Sequence, residues 1–500
     1  MNNLANKLIE NYKKFPNKIC LIQKDKTITY EELYFKVRDL KEYLEKKGIK
    51  KNEKVLLLIE MSIELYVSII AVWTIGAIPC FMDAGFIKSN LKKNNFKNIN
   101  SIIGTKKYII YSNINKNLKK IKTKININQA IKYKSKENNK LEIEEIKKEY
   151  PGILTYTSGT TGQPKIASRT HEFLANQGEI IKNNIDYEKD DIEISTIPIF
   201  TLSNINSGIQ TVIANANFMK LYKSNPKKII RQIKKNNVNR IMAAPGILEP
   251  IIKYCEKNKI KKYQIKKIFT GGGAIFIDFL ERIKKIFPNA KIVTLYGSTE
   301  AEPIAKLYVN NMTKEQIEKT KNGYGILAGN IVGVDICKII NTNKKEIGSI
   351  TKEEFENITT EEVGEIVVSG KNVLEGYIDG IGDKENKFTV EGIRFHRTGD
   401  MGYIDKNGLL WLRGRKKEPY FNIEASLHAK FYLGKTAVFK ENEKIILVIE
   451  KKRKNISEEK LKKEINFKKI DEIKYVKKIP VDKRHNTKVD YKELRKVLKK

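Results

Sequence analysis

Residues Thr157 to Lys165 read TSGTTGQPK, in a chain otherwise rich in lysine, isoleucine and asparagine. Gly159 and Gly162 permit positive φ and let the backbone approach a ligand closely. Thr157, Ser158, Thr160 and Thr161 supply hydroxyls beside backbone N–H groups, and Lys165 closes the stretch with a full positive charge. Such a combination binds anions, and a polyphosphate is the guest it fits. The G-x-x-x-x-G-K-[ST] spacing of a Walker A loop is absent. A flexible Ser/Thr/Gly linker would need neither this order nor the closing lysine.

Upstream of the loop the hydrophobic pattern alternates. TITYEELYFKVRDLKEYLEKKGI opens on a threonine cap and keeps helical spacing as far as Gly48. EKVLLLIE reads as a buried strand, SIELYVSIIAVWTIGA as a helix and IPCFMD as the next strand. Strand, helix, strand is a βαβ unit, which implies a parallel sheet flanked by helices. The uncharged run Leu65–Phe81 is marginal for a membrane span, and its Gly76 and Pro79 fit the helix-then-strand reading better. Between Ser112 and Tyr150 the chain is dense in Lys and Asn and reads as an irregular surface stretch.

Downstream the alternation returns. PKKIIRQIKKNN is a helix, VNRIMAAP a strand, DFLERIKKIFP a helix. IKKIFTGGGA is a strand running into a glycine turn, Gly271, Gly272, Gly273 and Ala274, whose bare backbone can lie flat against a base. AKIVTLYGSTE is a strand ending in polar groups, Tyr296, Gly297, Ser298, Thr299 and Glu300. Tyr296 can stack on a base, Thr299 can bond a phosphate, and Glu300 can hold Mg²⁺, a hard ion that favours oxygen ligands. From Glu365 onward short strands alternate with Gly, Asn and Asp turns, in GEIVVSG, GYIDKNG and LLWLRGR. A strand (KIILVIEKK), an amphipathic helix (SEEKLKKEI) and a lysine-rich tail follow.

Five hundred residues exceed one compact core, and 40% apolar with 9% aromatic content supports folded units. The net charge of +37 invites a nucleic-acid reading. Its bearers are mostly lysines spread along the whole chain, with little arginine to read bases. A solvated lysine surface with weak, salt-sensitive stickiness is the expectation. Cys20, Cys80, Cys255 and Cys337 are far apart and form no CxxC pair, which argues against a zinc site or disulfides and fits a reducing cytoplasm. The N-terminus has no uninterrupted apolar core and does not read as a signal peptide.

The ordered set TSGTTGQPK, GGGA, YGSTE, HRTGDMGYIDKNGLLWLRGR and PVDKRHNTKVDYKEL resembles the adenylate-forming superfamily: acyl-CoA synthetases, peptide-synthetase adenylation domains and luciferases. The resemblance spans nearly the whole chain. It implies an α/β fold, with a large adenylation domain of stacked βαβ subdomains plus a β-subdomain over residues 1–414. A small mobile α+β lid would occupy residues 415–500. ATP and Mg²⁺ are the implied cofactors, a carboxylic acid the substrate, and CoA or an acyl-carrier thiol the acceptor. By this resemblance the GGGA turn lies against adenine, Asp400 accepts both ribose hydroxyls and Arg415 faces ribose and phosphate. A carboxylate suits a diol because it accepts two hydrogen bonds at once. Thr160, Thr161 and Lys165 hold the β- and γ-phosphates. Lys488 stands where the family keeps a lysine that reaches the carboxylate and α-phosphate during adenylation.

IGAIPCFMDAG, PIFTLSNINSG and PVDKRHNTK are similar to the fatty acyl-CoA ligases and to the β-lactone synthetases of bacterial olefin biosynthesis. Most acyl-CoA synthetases carry a longer glycine-containing stretch after GRK. Here it is short, reads KEPYFNIEASLHAKFYLGKTAVF, and lacks the usual glycine, with Lys417 near the hinge position. Two outcomes follow for the acyl-AMP: transfer to a thiol, or closure by an internal β-hydroxyl to a β-lactone. A phosphotransferase would release ADP and lacks support from the loop spacing. A nucleic-acid-binding protein would explain the charge and nothing else. A catalytically inactive homologue is opposed by the presence of every side chain named above.

Overall fold

The structure is a computed structural model that describes residues 2–82, 98–136, 139–157, 165–218, 220–260, 264–416, 420–431, 433–450, 456–465, 467–481 and 489–499. Ser158, Gly159, Thr160, Thr161, Gly162, Lys417 and Lys488 lie outside the described residues. The chain forms two compact units, Met1–Met242 with Gly376–Asp383, and Ala243–Glu375 with Lys384–Lys500. The sequence boundary expected at 414/415 falls within the second unit.

In the first unit one sheet runs in the order Thr123–Asn126, Ser101–Gly104, Lys54–Leu58, Ile78–Phe81, Pro151–Thr157, Lys165–Thr170. Its neighbours are parallel except the last pair. The parallel pairing follows from the strand–helix–strand pattern. Helix Ile63–Thr74 is capped by the Ser62 hydroxyl and buried over nearly its whole length, so the uncharged run Leu65–Phe81 is one core helix and the strand after it. No described helix is long and apolar enough to cross a membrane. Each Leu, Val or Ile side chain so buried contributes about 1.5–3 kcal/mol. The stretch expected to be irregular contains the edge strand Thr123–Asn126, paired in parallel with Ser101–Gly104. Its lysines hid it, since charged residues are how proteins blunt a sheet edge.

A second sheet of this unit is ordered Lys26–Thr29, Ile19–Gln23, Gln210–Ile213, Ile192–Ser195, Arg240–Met242. Helix Tyr30–Lys46 follows its edge strand and opens with a capping box: Thr29 accepts from the Glu32 amide and Glu32 reaches back to the Thr29 amide. Helix Pro198–Ser207, from PIFTLSNINSG, ends at Gly208 in the left-handed conformation.

The second unit opens with two parallel strands, Lys267–Gly271 and Lys291–Ser298, separated by helix Ile277–Ile286. Antiparallel strands then continue the sheet in the order Ala301–Tyr308, Ile326–Ile331, Leu409–Arg415, Ile393–Ile404, Gly364–Ser369, Ile336–Ile340. Strands Thr436–Glu441, Lys444–Glu450 and Glu472–Val476 form a separate small sheet. Helices Phe421–Lys430 and Glu458–Glu464 pack on one face of it through Ile423, Leu427 and Leu461, and helix Tyr491–Leu498 packs on the other through Leu494.

Candidate active site

Three of the motifs converge in the second unit. Asp400 lies on strand Ile393–Ile404 directly opposite Arg415 on strand Leu409–Arg415. Arg415 Nε donates to Asp400 Oδ1 at 2.7 Å. Tyr296, at the end of strand Lys291–Ser298, donates its hydroxyl to Asp400 Oδ2 at 2.8 Å. The Asp400 amide donates to Thr398 Oγ1 at 3.1 Å, and that hydroxyl donates to the Ile366 carbonyl, which fixes the backbone under the carboxylate. Burial, then the Asp400 charge, pushes the Tyr296 phenol well above its usual range. It is therefore a proton donor throughout physiological pH.

The GGGA turn begins at the end of the neighbouring parallel strand, where Gly271 faces Leu295. A Cβ on Gly271 would sit 2.6 Å from the Leu295 carbonyl oxygen, so only glycine permits this approach. Gly272 and Ala274 are exposed and Gly273 half-buried. Gly297 and Ser298 end strand Lys291–Ser298, and Thr299 and Glu300 turn into strand Ala301–Tyr308, all four half-buried. The Glu300 amide donates to Ser298 Oγ at 3.2 Å, and its carbonyl accepts from the Leu374 amide at 2.7 Å. Among the described residues no three acidic, His or Cys side chains gather as a metal site. One carboxylate sharing Mg²⁺ with phosphates fits that ion, which keeps few protein ligands.

In the first unit, Thr157 and Lys165 are register partners at the ends of two antiparallel strands. Lys165 is buried, with its ammonium 4.9 Å from the Tyr377 ring centroid. Gly382, at φ +94°, leaves room for the lysine stem, which any Cβ there would strike. Neither Tyr377 nor Gly382 stands out in the sequence reading. The only signal is the clustering of glycines around one aromatic in EGYIDGIGD.

The sequence reading also missed a buried hydrogen-bonded chain. The Thr436 hydroxyl donates to Glu424 at 3.0 Å, leaving its oxygen to accept from His428 Nε2 at 3.0 Å. His428 Nδ1 lies 2.9 Å from Asp278 Oδ2. Phe276, two residues after the GGGA turn, stacks on the His428 ring at 4.2 Å. Ser426 donates to the Lys321 carbonyl, and Asn422 to that of Gly323. Helix Phe421–Lys430, from the shortened stretch, is thus held beside the GGGA turn. Farther on, Val481 pairs with Val489, and the Asp490 amide donates to the Pro480 carbonyl at 3.0 Å.

A family model described as "AMP-binding enzyme" matches residues 8–378. The chain belongs to the AMP-binding enzyme family. This AMP-binding enzyme is an acid ligase of the adenylate-forming superfamily. It is similar to 4-coumarate-CoA ligase 1 of Narcissus pseudonarcissus, 24% identical over 426 residues, 82% of this chain and 74% of that protein. It is also similar to olefin β-lactone synthetase of Xanthomonas campestris, 24% identical over 303 residues, 56% of this chain and 53% of that protein. The chain thus spans about half the length of that synthetase. O-Succinylbenzoate coenzyme A synthetase of Bacillus subtilis, solved in complex with ATP and magnesium ion, superposes with a TM-score of 0.75 at 20% identity. The superposition covers 99% of each chain, and the α/β architecture is shared from end to end.

Proposed function

We propose that this AMP-binding enzyme activates a carboxylic acid, of the fatty acid class, as its acyl-adenylate and passes the acyl group to CoA. The observation that carries this reading is the convergence of Tyr296 with Asp400 and Arg415 from two separate motifs. The substrate carboxylate attacks the α-phosphorus of ATP, the bond to the bridging oxygen breaks, and pyrophosphate leaves. The substrate is already an anion, so no protein nucleophile or base is required. The protein positions and neutralises charge. Asp400 accepts the ribose hydroxyls, and Arg415 holds it in place while facing the phosphate side. The bare backbone of Gly271, Gly272, Gly273 and Ala274 lies against adenine. Gly297, Ser298 and Thr299 shape the turn toward the α-phosphate. Thr157, Ser158, Gly159, Thr160, Thr161, Gly162 and Lys165 cradle the β- and γ-phosphates. Glu300 holds Mg²⁺, which when bound offsets phosphate charge. Lys488 neutralises charge building between carboxylate and phosphate, carried on a lid of residues 415–500 that closes over residues 1–414. The scattered free cysteines support a cytoplasmic setting.

A second reading is supported by the similarity to olefin β-lactone synthetase and by the short stretch after Arg415. A β-hydroxy acid would then close on its own acyl-AMP, expelling AMP and leaving a β-lactone.

The test is acid-dependent pyrophosphate exchange across a panel of carboxylic acids, with nucleotide products separated by chromatography. AMP is expected; ADP formed with an active acid overturns the reading. Lys488→Ala should slow exchange by about 10²–10³-fold and spare consumption of a supplied acyl-AMP. A wild-type exchange rate in that variant would remove Lys488 from its role. CoA-dependent disappearance of acyl-AMP separates the first reading from the second, which needs no thiol.

A further inference from the structure

Residues 98–136 contain ten lysines and neither an acidic residue nor an arginine. The segment builds strand Ser101–Gly104, helix Lys106–Ile114 and the edge strand Thr123–Asn126 of the first unit. The helix faces its sheet through Tyr108 and Ser112, both buried. It turns Lys107, Ile110, Tyr111 and Ile114 outward, positions at the i, i+3, i+4, i+7 spacing of one helical face. Ile110 is 52% exposed, Tyr111 37% and Ile114 75%. Single exposed apolar side chains are ordinary. Three on one face of a nine-residue helix are not, and the lysines around them have no counter-charge. Among the described residues Lys106, Lys107, Lys116, Lys119, Lys120 and Lys122 have no acidic partner. Beside the helix an open groove of about 530 Å³ is lined by Lys47, Lys106, Lys122 and Lys124 with Ile109 and Ile110.

An apolar stripe among lysines, with Glu60 set against the buried Tyr108, matches an interface that is anionic at its surface and apolar just beneath. A bilayer with anionic lipid is such an interface. Isoleucine enters the acyl boundary, tyrosine sits at headgroup level, and lysine stems bury their methylenes while their ammonium groups stay among the headgroups. A nucleic acid offers the isoleucines nothing and would favour arginine. Protein interfaces enrich arginine and deplete lysine, the reverse of this surface. The helix is far too short to span a membrane and can only lie on one.

We propose that the face formed by helix Lys106–Ile114 and the edge strand Thr123–Asn126 docks the protein onto anionic lipid bilayers. The proposal is independent of which acid is activated or what accepts the acyl group. Each lysine near an anionic surface strengthens partition by about fivefold, and the two isoleucines set the depth.

Flotation of the full chain with vesicles tests it. The chain should float with phosphatidylcholine vesicles that contain phosphatidylglycerol and not with phosphatidylcholine alone, and salt should weaken the association. Ile110→Glu/Ile114→Glu and Lys106→Glu/Lys107→Glu should each lower partition by at least tenfold. Melting temperature and acid-dependent pyrophosphate exchange in solution should not change. Ile110→Ser/Ile114→Ser, milder for folding, should lower partition by about threefold or more. The control Lys227→Glu/Lys228→Glu, on helix Pro226–Lys235, should bind like wild type. The proposal is overturned if the isoleucine variants float as wild type does, or if the control loses as much as the Lys106/Lys107 pair. It is equally overturned if an oligonucleotide or an acidic protein is held more tightly than the vesicles with the same dependence on Ile110 and Ile114.

Discussion

The molecule contains two clusters built from the same kinds of side chain, an arginine and a tyrosine around two carboxylates in one and around a single carboxylate in the other, put to opposite uses. In the first unit, Arg240 donates to Glu193 at 2.7 Å and to Asp191 at 3.1 Å. Its guanidinium lies 4.5 Å from the Tyr187 ring centroid, and Tyr187 bonds Asn204, which also donates to Glu193. Arg240 and Glu193 are 0% exposed and Asp191 1%. Burial raises the Glu193 carboxyl and Arg240 pulls it back. In the second unit, Asp400 and Arg415 are 17% and 41% exposed. The sealed cluster anchors helix Pro198–Ser207 through Asn204 and leaves no room for a guest. The open one lies at a surface that a ligand can reach. Side chains of the same kinds become scaffold or site according to how much water they see.

Removing the sealed arginine is the harshest way to break this contrast. Arg240→Ala leaves two buried carboxylates around an empty space and should cost about 3–5 kcal/mol of stability, read as a fall in the denaturant midpoint. ATP affinity of the folded fraction should not move. Restoring most of the stability with Arg240→Met/Glu193→Met/Asp191→Asn, which strands no buried carboxylate, would show that the network serves packing rather than binding. Full stability of Arg240→Ala would collapse the distinction.

His171 sharpens the comparison from the side of pH. It is buried in the first unit, where Nδ1 accepts from the Leu4 amide at 3.1 Å, and burial holds its pKa at about 4. The unfolded chain binds that proton near pH 6.5. Stability is therefore complete above about pH 6.5 and is lost as pH falls toward 4, by about 2 kcal/mol between pH 7 and 5. His171→Gln should flatten that slope in urea titrations at the two pH values, and an unaltered slope would contradict the assignment.

The open cluster should show the reverse balance. Asp400→Ala is expected to weaken ATP binding by about tenfold or more, because a charge-assisted hydrogen bond is worth roughly 1.5–3 kcal/mol. Its effect on unfolding should stay below about 1 kcal/mol, since the pair is partly exposed. Calorimetry with ATP and a thermal melt on one preparation decide both. The smallest effect is expected from Tyr296→Phe, which removes one donor from Asp400 and should reduce ATP affinity by about threefold. An undiminished affinity there would leave Tyr296 with base stacking alone.

Much of this was legible in the residues. The strand–helix–strand pattern around EKVLLLIE gave the parallel pairing of Lys54–Leu58 with Ile78–Phe81, and the GGGA and YGSTE stretches fell at adjacent strand ends. Local periodicity carries that kind of information. The sequence did not reveal what lies opposite what. Asp400 meets Tyr296 across 104 residues and His428 meets Asp278 across 150. Such partners are set by sheet order and helix docking, which no local pattern encodes. The short edge strand Thr123–Asn126 escaped because its lysines suit water as well as a sheet edge.

The return of Gly376–Asp383 to the first unit bears on how the chain comes off the ribosome. Residues 243–375 must be synthesised before Tyr377 can reach Lys165 or pair with Ala167. At roughly 5–20 residues per second, that delay is on the order of ten seconds. During it the nascent first unit has its lysine and no ring to set it against. A fragment released at Met242 is for the same reason not a natural folding piece, and any split of this gene for expression in halves should carry the return segment with the first.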